Sequence, residues 1–288
     1  MDQSPLSLVT DWDIPPGVTS ALVAVSAIYL RGWAVLRRTR PGTLPAWRLV
    51  AFLSGVVAVF VAIASPLDTF SETLLFMHMA QHFVLMSVAP PLIVMGSPFV
   101  PLVRGMPGWF IRQVVGPLVR SSTLHQVRQC LSGLGVSWIA MNLAYGGWHV
   151  PRAYEFALSS ERWHNVEHLC FFLTSIQFWW PVVLPWPSHQ RFDTWMLIPY
   201  LLTADLVNTG LSSFLCFSDR LIYPSYALFE RPFGINALTD QIAAGAFMWV
   251  FGSLVFVVPA MALILGVLTS GRLVRPGIQL EKARALAR

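Results

Sequence analysis

Seven long apolar segments divide this sequence, and they restrict the chain to one class of fold. A helix needs about 20 mostly apolar residues to cross the hydrocarbon core of a bilayer. Only 11% of the residues are charged, against about 25% in a soluble domain. A segment in lipid satisfies its own backbone hydrogen bonds by forming a helix. We therefore predict an all-α integral membrane protein, a bundle of about seven transmembrane helices at residues 18–36, 48–66, 73–96, 131–148, 164–184, 195–215 and 239–268.

The basic residues predict the orientation of this bundle, because cytoplasmic loops of membrane proteins are enriched in Lys and Arg. Most of the 19 basic residues follow spans one, three, five and seven. Asp11, Asp13, Asp68 and Glu72 lie on the opposite side. The pattern predicts an N-terminus outside the membrane and a C-terminus in the cytoplasm.

No long hydrophilic linker interrupts the chain, so we expect residues 1–288 to form a single domain. The segment 97–130 carries arginines among apolar residues, which is typical of interfacial helices lying on the membrane. The net charge is +5, but the basic residues are distributed over the loops between spans. We expect membrane lipid around the protein and no nucleic acid as a partner.

Two histidine pairs lie inside the apolar segments. His78 and His82 belong to the third span, and His164 and His168 to the fifth. The i, i+4 spacing places both imidazoles of a pair on one helix face. Ionisable side chains in a bilayer are costly and mark functional sites. With the predicted orientation and a rise of 1.5 Å per residue, both pairs lie within about 15 Å of the outer surface.

Four further side chains share this depth and complete a predicted metal site. His149 ends span four, Glu167 adjoins His168, Asp240 begins span seven, and Met79 adjoins His78. Imidazole suits copper, zinc and iron, and a nearby thioether favours copper. Either carboxylate is a candidate for binding the metal directly or for orienting an imidazole.

Alternatives to a copper site stay open at this point. Zinc or iron fits the imidazoles, and a haem fits between two helices that each offer a histidine. The histidines could also join helices by pairing with Glu167, Asp240 and backbone groups. A di-iron centre is disfavoured, because membrane oxygenases carry their histidine motifs mainly at the cytoplasmic face.

Motifs of nucleotide or acyl-transfer chemistry are absent from the sequence. No GxGxxG, phosphate-binding loop or nucleophile elbow occurs in a suitable context. Cys130, Cys170 and Cys216 have no CxxC spacing, so no thiolate metal motif is present. We expect a protein that is not an enzyme.

Three separated segments carry recognisable motifs. They are HMAQHFVLMSVAPPLIVMGSP from His78 to Pro98, WHVPRAYEFALSSERWHNVEHLCFFLTSIQFWWPVV from Trp148 to Val183, and LTDQIAAGAFMW from Leu238 to Trp249. Together they resemble the multi-span CtaG family of cytochrome c oxidase assembly factors. The matching positions are His78, His82, His149, His164, Glu167, His168, Asp240, Gln241, Gly245 and Trp249.

The resemblance implies a multi-pass protein of the bacterial plasma (inner) membrane that helps to assemble a haem–copper oxidase. We expect copper to arrive from a periplasmic donor, to bind the histidine cluster and to pass to an oxidase subunit. A copper transporter is the first alternative. The largely apolar inner half, in which Pro90 and Pro91 are expected to break span three and Asp205 is the deepest charge, argues against transport. The second alternative is a metal-free or haem-binding scaffold. The oxidase served, the copper oxidation state and a homodimer stay open.

Overall fold

The computed structural model describes residue 12 and residues 14–188, 191–228 and 234–269. Within these residues the chain is all-α, as predicted, with a single 3-10 turn at Pro224–Ala227. The helices, in chain order, are α1 (Pro16–Thr39), α2 (Ala46–Ala64), α3 (Pro66–Ser71), α4 (Leu75–Met95), α5 (Phe99–Gly105), α6 (residues 108–120), α7 (Ser122–Leu131), α8 (Leu134–Trp148), α9 (Pro151–Leu158), α10 (Glu161–Val183), α11 (Thr194–Cys216) and α12 (Ala237–Thr269).

Four of the helices in the described ranges, α1, α2, α4 and α12, are long and apolar enough to cross a membrane. They coincide with the first, second, third and seventh predicted spans. The other three predicted spans coincide with α8, which has 15 residues, and with α10 and α11, which have 23 each and contain ionisable residues. The count of seven spans and the orientation stay predictions. The basic C-terminal tail beyond residue 269 lies outside the described residues.

Helix α4 continues through Pro90 and Pro91, so the expected break in the third span is wrong. Pro90 has no N–H to donate to the Met86 carbonyl, and the residues Val84–Val88 form a π-helical turn before it. The indole N–H of Trp179 on α10 lies 3.3 Å from the Met86 carbonyl oxygen and donates to it. A neighbouring helix thus satisfies the backbone group that the proline leaves free.

Helix α1 packs against α5 through two glycines. A Cβ atom on Gly32 would lie 1.8 Å from the Pro101 carbonyl oxygen, and one on Gly105 would lie 1.8 Å from the Ile28 carbonyl oxygen. Only glycine permits this contact of backbone on backbone. The start of the predicted interfacial segment 97–130 is therefore packed against a long helix. Its later helices, α6 and α7, are largely exposed where their side chains are described.

The remaining long helices form the bundle that holds the histidines. Helices α11 and α12 have the most extensive contact, and a Cβ on Gly245 would come within 2.7 Å of the Cys216 nitrogen. This close approach is of the kind that small residues permit where two helices pack together. Helix α4 packs against α12 and α10, and α10 packs against α8. The histidines of α4 and α10 are brought together by this arrangement.

Candidate metal centre

The two predicted histidine pairs meet in one cluster between α4 and α10. One ring nitrogen from each of His78, His82, His164 and His168 lies within 4.8 Å of the other three. The ring centroids of His78 and His164 are 5.1 Å apart, and those of His82 and His168 are 5.2 Å apart. His78 and His82 are buried, whereas His164 is partly exposed. The cluster therefore lies at the edge of the bundle interior, with its deeper pair on α4.

The Tyr226 hydroxyl fixes the tautomer of His78. Its oxygen lies 3.1 Å from the Ser71 carbonyl oxygen, 2.8 Å from His78 Nδ1 and 3.1 Å from the Tyr154 hydroxyl. Because a carbonyl only accepts, all three contacts are satisfied when Tyr226 donates to Ser71 and accepts from His78 Nδ1–H and Tyr154. Burial raises the pKa of both phenols, so they keep their protons. His78 Nε2 then retains its lone pair, 2.9 Å from His82 Nε2.

His149 approaches the cluster from the end of α8. Its Nδ1 lies 2.7 Å from the Tyr145 carbonyl oxygen and donates to it, and its Nε2 lies 3.4 Å from Met79 Sδ. With the proton on Nδ1, the Nε2 lone pair faces the thioether and no hydrogen lies between them. A tetrahedral ion bound to both atoms at ordinary metal–nitrogen and metal–sulfur lengths would hold them about 3.5 Å apart. The spacing fits two ligands of one metal ion.

Polar atoms at the cluster are buried without hydrogen-bond partners among the described residues. They are both carboxylate oxygens of Glu167, Nδ1 of His82, and Nε2 of His164 and His168. Glu167 is fully buried, and its Oε1 lies 3.9 Å from His82 Nε2, too far for a hydrogen bond. An unpaired buried carboxylate is costly, and such atoms need an explanation such as a bound ion.

Asp240 lies beside the cluster and caps α4. Its Oδ2 accepts a hydrogen bond from the Leu75 N–H at 2.7 Å, and its Oδ1 accepts one from the Phe76 N–H at 3.1 Å. These N–H groups belong to the first turn of α4, where intrahelical partners are lacking and negative charge is favourable. Asp240 thus positions the helix that carries His78 and His82. Direct metal binding by Asp240 stays a prediction.

A family model that matches most of this chain decides the family to which it belongs. The family model described as cytochrome c oxidase caa3 assembly factor (Caa3_CtaG) matches residues 27–270. The chain belongs to this family. This match confirms the predicted resemblance to the family. The matched range also contains the eight predicted site residues.

Relatives of this chain occur among mycobacterial proteins. An uncharacterized protein of Mycobacterium leprae is 24% identical over 272 residues, which cover 88% of this chain and 39% of that protein. Uncharacterized proteins of Mycobacterium bovis and Mycobacterium tuberculosis are each 31% identical over 100 residues, 35% of this chain and 15% of theirs. The chain therefore spans less than half the length of these relatives. No solved structure matches it.

Other positions of the family motifs support the helices around the cluster. The Gln241 Oε1 accepts from the Ile222 N–H at 2.7 Å, and its amide donates to the Arg220 carbonyl at 3.1 Å. Trp249 packs edge-on against Phe217, with 5.9 Å between ring centroids. These contacts join α12 to α11 and to the loop that follows α11.

Sequence reasoning missed the tyrosines that orient the imidazoles. Besides Tyr154 and Tyr226, Tyr223 donates its hydroxyl proton to the His149 carbonyl oxygen at 2.9 Å. All three are fully buried or nearly so. A signal was available, because three of the six tyrosines lie in two short segments between predicted spans. A loop that only connects helices has no need of so many aromatic residues.

Tyr226→Phe is expected to weaken metal binding about 10- to 100-fold, as loss of a group that orients a metal-binding histidine does. The change leaves His78 Nδ1 and the Ser71 carbonyl without their shared partner. Competition titration of the detergent-purified protein measures it. Tyr200→Phe is the matched control, since it removes a buried hydroxyl that donates to the Phe178 carbonyl, away from the cluster. An equal loss in both variants would contradict the role of Tyr226.

Proposed function

We propose that this assembly factor binds copper at the His78–His82–His164–His168 cluster and passes it to a haem–copper oxidase subunit docked beside it in the membrane. Membership of the oxidase assembly family supports the destination. The observation that supports a metal ion is the convergence of four imidazole nitrogens within 4.8 Å, next to the buried Glu167 carboxylate, which has no hydrogen-bond partner among the described residues.

The donor set fits a metal ion better than it fits helix pairing. Histidines that only join helices would hydrogen-bond to carboxylates or backbone groups across the interface. At this cluster His164, His168 and Glu167 instead have buried polar atoms without such partners. One cation bound at the centre would engage these atoms together, and Glu167 would offset its charge.

Copper is favoured over zinc, iron and haem by the neighbouring groups. The Nε2 of His149 faces the Met79 thioether at 3.4 Å, and thioether ligands select copper among these metals. A haem needs a flat slot between its two histidines. Phe171 packs on His82 with 4.8 Å between ring centroids, and Tyr154 packs on His78 at 5.3 Å. The ring centroids of His78 and His164 are 5.1 Å apart and those of His82 and His168 are 5.2 Å apart, which is closer than two imidazoles on opposite faces of one haem iron can lie.

The depth of the cluster favours delivery to a membrane-embedded recipient. His78 and His82 are almost completely enclosed, whereas His164 is partly exposed. A periplasmic donor would load copper through His164 and His168, and the ion would then be passed to the oxidase by ligand exchange. The step makes and breaks only metal–ligand bonds, so the role we propose is that of a metallochaperone and not of an enzyme. A homodimer that delivers two ions is compatible with it.

Metal analysis of the copper-loaded, detergent-purified protein tests the proposal. We expect at least one copper per chain in the wild type and the loss of one in His78→Ala/His82→Ala/His164→Ala/His168→Ala. His189→Ala is the control, because the sequence places that histidine in the connection between α10 and α11. No metal in the wild type would favour a scaffold, and a Soret absorbance would favour haem. Copper flux into sealed vesicles would favour a transporter.

A further inference from the structure

A cavity of about 40 Å³ adjoins the histidine cluster. Four helices line it: α4, α8, α11 and α12. His82, His149 and Met79 lie at one end, next to the cluster, and Met86 lies two helical turns further along α4. A volume of this size holds a few water molecules or a metal ion.

The buried methionines of the described chain all line this cavity. Met79, Met86, Met141 and Met248 are 1%, 4%, 4% and 6% exposed. They come from three different helices. By contrast, Met95, Met196 and Met261 are between 37% and 49% exposed. Methionines used only to fill gaps in a core would be expected at many places, so their convergence on one cavity calls for a reason.

Three of these methionines lie on three different helices that line the cavity. Met86 follows Met79 by seven residues, Met141 precedes His149 by eight, and Met248 follows Asp240 by eight. At 1.5 Å per residue, Met86 lies about 6 Å beyond His82 along α4, and Met141 lies about 12 Å from His149 along α8. All three line the same cavity. Met86, Met141 and Met248 are called the thioether trio below.

The chemistry of the lining suits a soft monovalent ion. A thioether is neutral, has no proton to lose and prefers Cu(I) to hard or borderline cations. None of the described lining residues is an acid, a lysine or an arginine. Asn208 is already bonded to the Tyr145 hydroxyl at 2.9 Å and to the Met248 carbonyl at 3.3 Å. Apart from His82, His149 and the Ser87 hydroxyl, the thioethers are the lining groups left to bind an ion, and they are the softest donors of this set.

A contact connects the cavity to the histidine cluster. The Nε2 lone pair of His149 faces Met79 Sδ at 3.4 Å, and the His149 and His82 ring centroids are 6.0 Å apart. The imidazoles of the cluster are thus adjacent to the imidazole and thioether ligands at the end of the cavity. An ion leaving His82 meets a mixed nitrogen–sulfur pair before it reaches the thioether trio.

We propose that the thioether trio is a second metal site, specific for Cu(I), which receives the ion from the histidine cluster through Met79 and His149. The identity of the ion rests on the proposed function. The ligands of the second site are different residues from those of the histidine cluster. Transfer from the cluster breaks copper–nitrogen bonds and forms one copper–nitrogen bond to His149 and one copper–sulfur bond to Met79. Transfer to the thioether trio breaks both of these and forms copper–sulfur bonds, and copper stays Cu(I) throughout.

Silver titration tests this site, because Ag(I) mimics Cu(I) and does not change its oxidation state. We expect two Ag(I) per wild-type chain and one in Met86→Leu/Met141→Leu/Met248→Leu, since leucine nearly conserves the volume. Met95→Leu/Met196→Leu/Met261→Leu removes the same number of thioethers from exposed positions and should bind two. The quadruple His→Ala variant should still bind one Ag(I), at the thioether trio, and should no longer bind Cu(II).

The outcomes separate the two proposals. Equal Ag(I) binding by the wild type and the thioether-trio variant overturns the second site and leaves the histidine site untouched. Unchanged Cu(II) and Ag(I) binding by the quadruple His→Ala variant overturns the proposed function instead. X-ray absorption of the Ag(I)-loaded wild type requires no variant to fold, and an absence of sulfur scattering there would also overturn the thioether site.

Discussion

Cells that carry His82→Ala together with His168→Ala are expected to assemble oxidase with little copper and to lose at least nine-tenths of its activity. The two changes remove one imidazole from each helix of a cluster whose nitrogens lie within 4.8 Å. The two imidazoles that remain are expected to hold copper less tightly against competing donors than four do. The measurements are the copper content of the purified oxidase and oxygen consumption by membranes.

Protein abundance and copper supply give this experiment its controls. Thr174→Ala changes a polar side chain of α10 that bonds only within its own helix, to the Cys170 carbonyl at 2.7 Å and more weakly to the Phe171 carbonyl. That variant should behave as the wild type, and immunoblots should show equal amounts of all three proteins in the membrane. Excess copper in the medium should partly restore the double variant if delivery has failed. Normal oxidase copper without supplementation would contradict copper delivery by this cluster.

The histidine cluster could be predicted because its signal is local and repeated. The i, i+4 spacing fixes each pair on one helix face, and the shared depth of two spans predicts that the faces meet. His149 was also expected at this depth, because it ends the fourth span. These arguments use only helix geometry and the cost of placing ionisable groups in lipid.

The partners of the imidazoles could not be predicted in the same way. Tyr226 contacts His78 across 148 residues, and His149 contacts Met79 across 70. Sequence spacing carries no information about such contacts. Asp240 illustrates the same limit, since a carboxylate near a metal cluster and one that caps a helix look alike until its backbone partners on α4 are known.

Helix continuity at Pro90 depended on a partner distant in sequence. A proline inside a helix predicts a break, because its carbonyl partner four residues earlier loses a hydrogen bond. The π-helical turn at Val84–Val88 and the Trp179 indole remove that penalty. Trp179 lies on another helix, 93 residues away from Met86. The proline alone predicts a break in the helix, and the tertiary contact with Trp179 prevents it.

Replacement of Glu167 should separate a metal site from a structural one, because the two roles predict opposite effects on stability. Both Glu167 oxygens are buried without hydrogen-bond partners. Glu167→Leu removes this unpaired polar group, which is expected to stabilise the metal-free protein by about 1–3 kcal/mol. The same change should weaken copper binding at least tenfold, since the carboxylate no longer offsets the charge of the ion.

Thermal unfolding in detergent and copper competition titration measure the two effects on the same samples. Glu155→Gln is the matched control, because the Glu155 carboxylate accepts hydrogen bonds from the Ser225 N–H at 3.2 Å and from the Ser225 hydroxyl. It should lower the unfolding temperature and leave copper binding unchanged. If Glu167→Leu also destabilised the metal-free protein and bound copper normally, the carboxylate would be part of the packing. If Glu167 is retained in order to bind a cation, Glu167→Leu should raise the stability of the metal-free protein and lower its affinity for copper.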